Sequence, residues 1–348
     1  MSPSRILLPL SWLYGVAVTI RNLFFEIGIS RIVRISVPVI SVGNISAGGT
    51  GKTPFVSELV SILKKHGMKP AVVSRGYGRK SKGFQVVSNG QQKCAEAILA
   101  GDEPALLAAQ LQGVPVVVDE RKARGAHKAV ELFAPDVVVL DDGFQHRSLF
   151  RDCDIVLLTA DELTGRPQLL PAGYRREPFR SLRRANVIVI SKCRDVNQFE
   201  ETAQELRRRF HVPIIGLRTA VAGIRRFGSG KDVGRNAVRG KKTIAFSGIA
   251  DSSSFDRTLK ELGANVLAHH RFEDHHWYTV GDLKEIGESF QLLGAEVLVT
   301  TEKDGVRLEE GSNSLGQFPF FGIGVRSEII SGEKELKIIL EKIVSVRK

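Results

Sequence analysis

A chain of 348 residues is long for one domain and comfortable for two, and its 43% apolar and 25% charged residues are those of an ordinary globular protein. Its three cysteines, Cys94, Cys153 and Cys193, form no Cys-x-x-Cys pair, which argues against a disulfide framework and a cysteine zinc site and favours a reducing compartment. The net charge of +12 points to an anionic partner, whether nucleotide, nucleic acid or membrane surface, without choosing among them.

Residues 6–20 are nearly free of charge; Arg21 interrupts them, and Leu23-Phe24-Phe25 resumes the apolar character. The uncharged stretch is shorter than the roughly 20 residues that span a bilayer. No small-residue cleavage site follows, so a signal peptide fits poorly. Trp12 and Tyr14, flanked by Arg5, Arg21, Arg31 and Arg34, suit a helix lying in or dipping into an anionic interface. The alternative is a helix packed on the protein's own core. Residues 1–35 are expected to be a membrane-associated helical segment.

The apolar run 37–42 leads into Gly43-Asn44-Ile45-Ser46-Ala47-Gly48-Gly49-Thr50-Gly51-Lys52-Thr53, and helical periodicity follows. A strand, a glycine-rich loop and a helix N-terminus in that order converge backbone N–H groups, a helix dipole and a lysine on a polyphosphate. Residues 46–53 are the expected nucleotide-binding loop, and the Thr53 hydroxyl would reach a magnesium ion. The strict pattern GxxxxGK[ST] is not met, because Ser46 stands where its first glycine belongs. Phe55, Val56, Leu59, Val60, Ile62 and Leu63 predict the helix, and Gly67 its end.

Short apolar runs at 71–73, 114–118, 136–140, 154–158, 187–190 and 213–217 are rich in β-branched residues and lack alternation, as strands buried on both faces do. Predicted helices at 123–133 and 198–210 separate some of them. Residues 36–217 are therefore expected to form a doubly wound, mostly parallel α/β domain of the P-loop kind.

Within it, Gly101-Asp102-Glu103-Pro104 puts two acids at a turn before the predicted helix 105–111, where one carboxylate could accept a hydroxyl proton or merely cap the helix. The strand at 137–140 ends in Asp141-Asp142, followed by Gly143-Phe144-Gln145-His146. Aspartate at the end of an apolar strand is the magnesium-holding half of a P-loop site. Adjacent strand side chains alternate, so one acid is expected to reach metal and the other to position a neighbour, unless both cap a following helix. The stretch 170–178, with Arg175, Arg176 and Glu177 and then Arg180, Arg183 and Arg184, is either a phosphate clamp or a solvated basic face.

Residues 218–348 form the expected second, smaller α/β domain. Residues 220–239 read as a ribbon or linker. Strands follow at 243–247, 265–268 and 296–300, with helices at 253–262, 280–293 and 334–346. His269, His270, His275 and His276 match no zinc spacing, so a single histidine working at a cleft between domains is expected instead. Ser191-Lys192-Cys193-Arg194-Asp195 and Thr301-Glu302-Lys303-Asp304 both miss the Asn-Lys-x-Asp of a GTPase, which favours ATP. Ser46 and Ala47 occupy the places where a partition-type ATPase carries its second lysine, which argues against a dimerising switch. No aromatic-basic interleaving supports nucleic-acid binding, and no obligate protein partner is evident.

Together these residues resemble the tetraacyldisaccharide 4′-kinases, the lipid A 4′-kinases of Gram-negative bacteria, over nearly the whole chain. The resemblance is carried by Gly43-Asn44 with Gly48-Gly49-Thr50-Gly51-Lys52-Thr53, by Ser74-Arg75-Gly76-Tyr77-Gly78, Gly101-Asp102-Glu103-Pro104 and Asp141-Asp142-Gly143-Phe144-Gln145-His146, and by Arg176-Glu177-Pro178, Phe272-Glu273-Asp274-His275-His276 and Thr301-Glu302-Lys303-Asp304. Glu273 stands where the family is expected to have proline, and Ala172-Gly173-Tyr174 departs from a stretch that is often Leu-Gly-Pro-like. The family also tolerates a non-glycine at Ser46. The resemblance implies transfer of the ATP γ-phosphate, with Mg2+, to the 4′-hydroxyl of an acylated disaccharide 1-phosphate. The enzyme would be peripheral or N-terminally anchored at the cytoplasmic face of the inner membrane, with ATP held between the two domains. It implies that Lys52 and Thr53 grip phosphate and magnesium, and that Asp102 is the general base, tuned by His275. Asp141, Asp142, Gln145 and His146 would organise metal and water, and Arg121, Arg176 and Glu177 would orient phosphate or acceptor, Glu177 beside the metal.

Overall fold

The computed structural model describes residues 6–164, 168–308 and 315–345. Arg5 and Val346, the end of the predicted closing helix, lie outside them. The chain begins with helix α1 (Leu8–Glu26) and then alternates β1 (Val39–Asn44), α2 (Lys52–Lys65), β2 (Pro70–Ser74), β3 (Gln85–Asn89), α3 (Asp102–Gln110), β4 (Pro115–Val118), α4 (Lys122–Phe133), β5 (Val137–Asp141) and β6 (Cys153–Thr159). After β7 (Val187–Ser191), α5 (Val196–Arg209) and β8 (Ile214–Arg226) come β9 (Lys242–Ser247), α6 (Ser252–Glu261), β10 (Asn265–Arg271), α7 (Val280–Leu292), β11 (Val297–Thr301), β12 (Phe320–Ser331) and α8 (Glu333–Ser345).

The twelve strands of the described residues join one sheet in the order β10-β9-β11-β12-β8-β7-β6-β1-β5-β2-β4-β3. Neighbours are parallel except β3 with β4 and β8 with β12. The chain leaves β1 toward β5 and β2 on one side, and β6 lies against its other edge. β1 therefore sits where strand order reverses, the place at which open α/β sheets bind ligands beyond their carboxyl ends. Val42 is in register with Asp141, which sets the start of the glycine-rich loop beside the aspartate pair.

Both faces of the first half are covered, which is why its strands read as continuous apolar runs. Ile40 and Val42 point to one face, where Phe55, Val56, Leu59 and Leu63 of α2 and Leu107 of α3 meet them. Val39, Ala71, Val73 and Val117 point to the other, against Ala126 and Ala129 of α4. Phe55 is fully buried, so truncating it to alanine is expected to cost about 3–5 kcal/mol.

β8 runs through residues 217 and 218, and its second half pairs antiparallel with β12 as a long twisted ribbon. Residues 220–226, the start of the stretch 220–239 read as ribbon or linker, belong to this strand; beyond Leu217 only Ile224 is buried, so burial leaves no signature there. The edge strand β3 is likewise only partly buried, and in β12 Gly322 and Gly324 interrupt the apolar run of an otherwise buried first half. The β9–β12 unit with α6 and α7 thus continues the sheet while facing the first half across a cleft.

Candidate functional site

The cleft is a cavity of about 1430 Å3 lined from both halves of the sheet, with residues 47–54, Asp141, Asp142, Gln145, His146 and Arg176 on one side and Ile249, Asp251, Phe255, His275 and Lys303 on the other.

The loop is shaped by its own residues. The Asn44 amide donates to Thr50 Oγ1 at 3.1 Å, and the Ser191 hydroxyl donates to the Thr50 carbonyl at 2.8 Å. Gly48 and Gly51 adopt φ of 118° and 78°, the latter as N-cap of α2, where a side chain would strain the backbone. Ser46 is not among the positive-φ residues; it makes an antiparallel bridge with Arg175. A residue paired in that way has no need of glycine, which accounts for the departure from the strict P-loop pattern.

Asp141 closes β5, and Asp142 turns out of the strand with φ of 51°. The alternation expected of adjacent strand residues therefore stops, and both acids line the cavity. No helix follows for them to cap. Ser74 Oγ donates to Asp141 Oδ2 at 2.8 Å. Lys52 Nζ lies 3.4 Å from Asp142 Oδ1, and Arg176 Nη1 donates to Asp142 Oδ2 at 3.0 Å. Burial, reinforced by the charges of Glu103 and Asp142, pushes Asp141 up to about 6. Asp142 feels the same burial, yet Lys52, Lys122 and Arg176 hold it well below the usual carboxylate range. Burial and the charge of Lys122 push His146 down to about 3, so its ring is neutral at physiological pH.

Lys122, which no sequence pattern singles out, is buried under the pair. Its ammonium donates to the Asp142 carbonyl at 2.6 Å and also to the Asp141 carbonyl. Desolvation pushes it down to about 8, against the pull of the two aspartates.

The donor set suits a nucleotide-bound magnesium ion. Asp141 Oδ1 and Asp142 Oδ1 are buried without a hydrogen-bond partner, and Thr53 lines the same cavity. Among the described residues no group of three or more His, Cys, Asp and Glu gathers to hold a metal. Magnesium takes one or two carboxylates and completes its shell with phosphate and water, so such a group is not needed.

The remaining predicted residues divide. Gln145 Nε2 donates to the Asn44 carbonyl at 2.8 Å and to Glu177 Oε1 at 3.2 Å. Glu177, expected beside the metal, is fully buried; Asn22 and Arg184 donate to its Oε2 at 3.0 and 2.9 Å, and Arg21 lies 3.7 Å away. Its charge is answered by arginines, and it is not among the cavity-lining residues. Arg121 is exposed at the N-cap of α4 and does not line the cavity.

Of the four clustered histidines, His275 alone lines the cavity. His269 is occupied by Ser247 and Asp256, and His276 by Asp282. His275, at φ of 62°, donates from Nδ1 to Asp102 Oδ2 at 2.8 Å. Asp102 begins α3, is 3% exposed, and its Oδ1 accepts from the Glu103 N–H. Burial would raise Asp102, but the His275 hydrogen bond and the charges of Lys303 and Arg307 bring it below its ordinary value. His275 is raised by that bond against partial burial. Lys303 also pairs with Glu103 at 3.1 Å, joining the Thr-Glu-Lys-Asp string to the Gly-Asp-Glu-Pro turn. Arg307, which sequence reasoning missed, is held by Asp304 and donates to the Gly248 carbonyl at 2.9 Å.

A family model described as LpxK, tetraacyldisaccharide-1-P 4′-kinase, matches residues 3–345. A tetraacyldisaccharide 4′-kinase of Chlorobium limicola is 38% identical over 347 residues, covering 98% of each protein. One from Anaeromyxobacter sp. (strain Fw109-5) is 39% identical over 329 residues, covering 93% of this chain and 87% of the relative. The crystal structure of LpxK from Aquifex aeolicus in complex with ATP superposes with a TM-score of 0.80 at 34% identity, over 98% of this chain and 99% of that one. With the phosphate loop, the aspartate pair and the Asp102–His275 contact in place around one cavity, this chain belongs to the tetraacyldisaccharide-1-P 4′-kinase family.

Proposed function

We propose that this protein transfers the γ-phosphate of ATP to the 4′-hydroxyl of tetraacyldisaccharide 1-phosphate, a step of lipid A synthesis. The observation that carries the reading is that one cavity holds both halves of a transfer site: the Lys52 loop with Asp141 and Asp142 on one wall, and His275 backed by Asp102 on the other. Lys52 and the loop N–H groups hold the polyphosphate, and Arg176, ion-paired with Asp142, neutralises charge on the transferring group. Asp141, Asp142 and Thr53 would hold a magnesium ion, which screens phosphate charge when bound. The acceptor hydroxyl gives its proton to the Asp102–His275 pair, with His275 as the end that meets the cavity. Weak base assistance suffices for this reaction, so positioning and charge neutralisation dominate the rate.

The acceptor is a lipid, and α1 supplies a surface for its source. Leu10, Trp12, Leu13, Val16, Ile20, Leu23 and Ile27 are exposed, while only Ser11, Val18 and Asn22 of this helix are buried. α1 is long and apolar enough to cross a membrane. Its outward apolar face with Arg21, Arg31 and Arg34 nearby suits insertion into an anionic leaflet, here the cytoplasmic face of the inner membrane.

The test is incubation of the purified chain with radiolabelled ATP, Mg2+ and tetraacyldisaccharide 1-phosphate. A labelled lipid product is expected; label confined to free phosphate overturns the reading.

A further inference from the structure

α1 inverts the usual amphipathic helix: most of its apolar residues face out, and its uncharged polar ones face the protein. Ser11, Tyr14, Thr19 and Asn22 fall on one side at helical spacing, and each meets the segment 169–180. Ser11 Oγ donates to the Leu169 carbonyl and accepts from the Ala172 N–H, both at 2.9 Å. The Tyr14 hydroxyl donates to the Arg176 carbonyl at 2.9 Å, Arg180 donates to Thr19 Oγ1 at 2.7 Å, and Asn22 Nδ2 donates to Glu177 Oε2 at 3.0 Å. Gly15 faces the same segment: a Cβ there would stand 2.8 Å from Leu169 Cδ1, the end of a flexible side chain that can give way.

On its other side the same segment is bonded to the phosphate loop. The N–H groups of Arg176 and Glu177 both donate to the Ile45 carbonyl, at 2.7 and 3.1 Å, and the Ala47 N–H donates to the Tyr174 carbonyl at 2.6 Å. The segment is thus clamped between α1 and the loop, and it carries the guanidinium that bonds Asp142. Anchoring requires only an apolar face toward lipid; hydrogen bonds to the backbone of Arg176 and to the carboxylate of Glu177 add nothing to that role.

We propose that Tyr14 and Asn22 are positioning residues for phosphoryl transfer. They fix the Arg176–Glu177 segment against the phosphate loop, so the seat of α1 sets where the Arg176 guanidinium stands. Asn22 acts through Glu177, whose Oε1 also accepts from Gln145 in the aspartate string. Small displacements of such a group lower turnover without weakening substrate binding, because the contact matters most as charge develops. The inference rests on the kinase reading above.

The experiment compares full-length wild type, Tyr14→Phe and Asn22→Leu in mixed micelles with tetraacyldisaccharide 1-phosphate. It reads kcat, both KM values, co-sedimentation with phosphatidylglycerol vesicles, and melting temperature. Each variant is expected to lose about ten-fold in kcat, with both KM values and vesicle binding within about two-fold of wild type. Combined with Arg176→Ala, neither should lower kcat further, since the group they position is gone. Tyr14→Phe removes one hydroxyl from a half-buried ring and leaves the fold intact, so it carries the test if Asn22→Leu melts early. Retained kcat with a raised lipid KM or weakened vesicle binding would make the helix an anchor only and overturn the proposal. So would losses that multiply with that of Arg176→Ala. Absence of labelled lipid from the wild type overturns the kinase reading itself, and the proposal with it.

Discussion

His275 Nδ1 stands 2.8 Å from Asp102 Oδ2, although 173 residues separate them. The carboxylate comes from the first turn of a helix in one half of the sheet, and the imidazole from a turn after β10 in the other. The contact closes the cavity opposite the phosphate loop, and Lys303 and Arg307 stand 3.9 and 3.6 Å from the same carboxylate oxygen.

Replacing Asp102 with alanine removes the anionic member of the proton-accepting pair and leaves the loop untouched. Lipid phosphorylation should fall by about 10²-fold or more, while the ATP dissociation constant stays within a few-fold. Near-normal turnover in labelled-lipid assays would refute the assignment.

The same pair gives stability a pH signature. The folded pKa of His275 is raised above its unfolded value, so its contribution is fully present below the ordinary histidine range, near pH 6.5, and is lost as pH rises through the folded value. His275→Gln should therefore destabilise the protein more at pH 6 than at pH 9 in urea unfolding. An equal loss at both values would show that the ion pair adds nothing.

The phosphate loop distinguishes two positions that look alike in a motif. Gly51→Ala forces a side chain into φ of 78° with nothing within 4 Å to clash, so its cost is the backbone alone, about 1–2 kcal/mol. ATP binding should weaken with it. Ser46→Gly should leave ATP affinity within about three-fold, because the Ser46 hydroxyl has no partner and its backbone needs no left-handed turn. Calorimetric titration of the two variants checks both.

Trp12 is 69% exposed and Ile20 46%. Exchanging both for glutamate puts two charges on the outward face of α1 without touching its polar seam. Vesicle binding should drop by about ten-fold or more, while turnover on a short-chain, water-soluble acceptor is kept. Unchanged sedimentation with anionic vesicles would refute the membrane contact.

Much of the first half was legible because local pattern reports local burial. Val39–Asn44, Val137–Asp141 and Val187–Ser191 are covered on both faces, and continuous β-branched runs announce them. Gln85–Asn89 and the outer half of Ile214–Arg226 are partly exposed strands whose partners lie far along the chain, so no periodicity marked them. Lys122 was invisible for a related reason. A lysine near the start of a helix looks like solvent-facing charge until the helix packs over the carbonyls of Asp141 and Asp142. The family resemblance put Glu177 beside the metal; Arg184, Asn22 and Arg21 surround its carboxylate instead.

By itself the sequence determined the phosphate loop, the acid-ended strand and the apolar first helix, since each is a local arrangement of backbone freedom, charge and hydropathy. The tertiary structure decided that both aspartates face the cavity, that Lys122 lies buried beneath them, and that α1 turns its polar stripe inward onto Arg176 and Glu177. Those outcomes depend on strand order and on how distant segments cross, and residue spacing along the chain carries no record of such crossings.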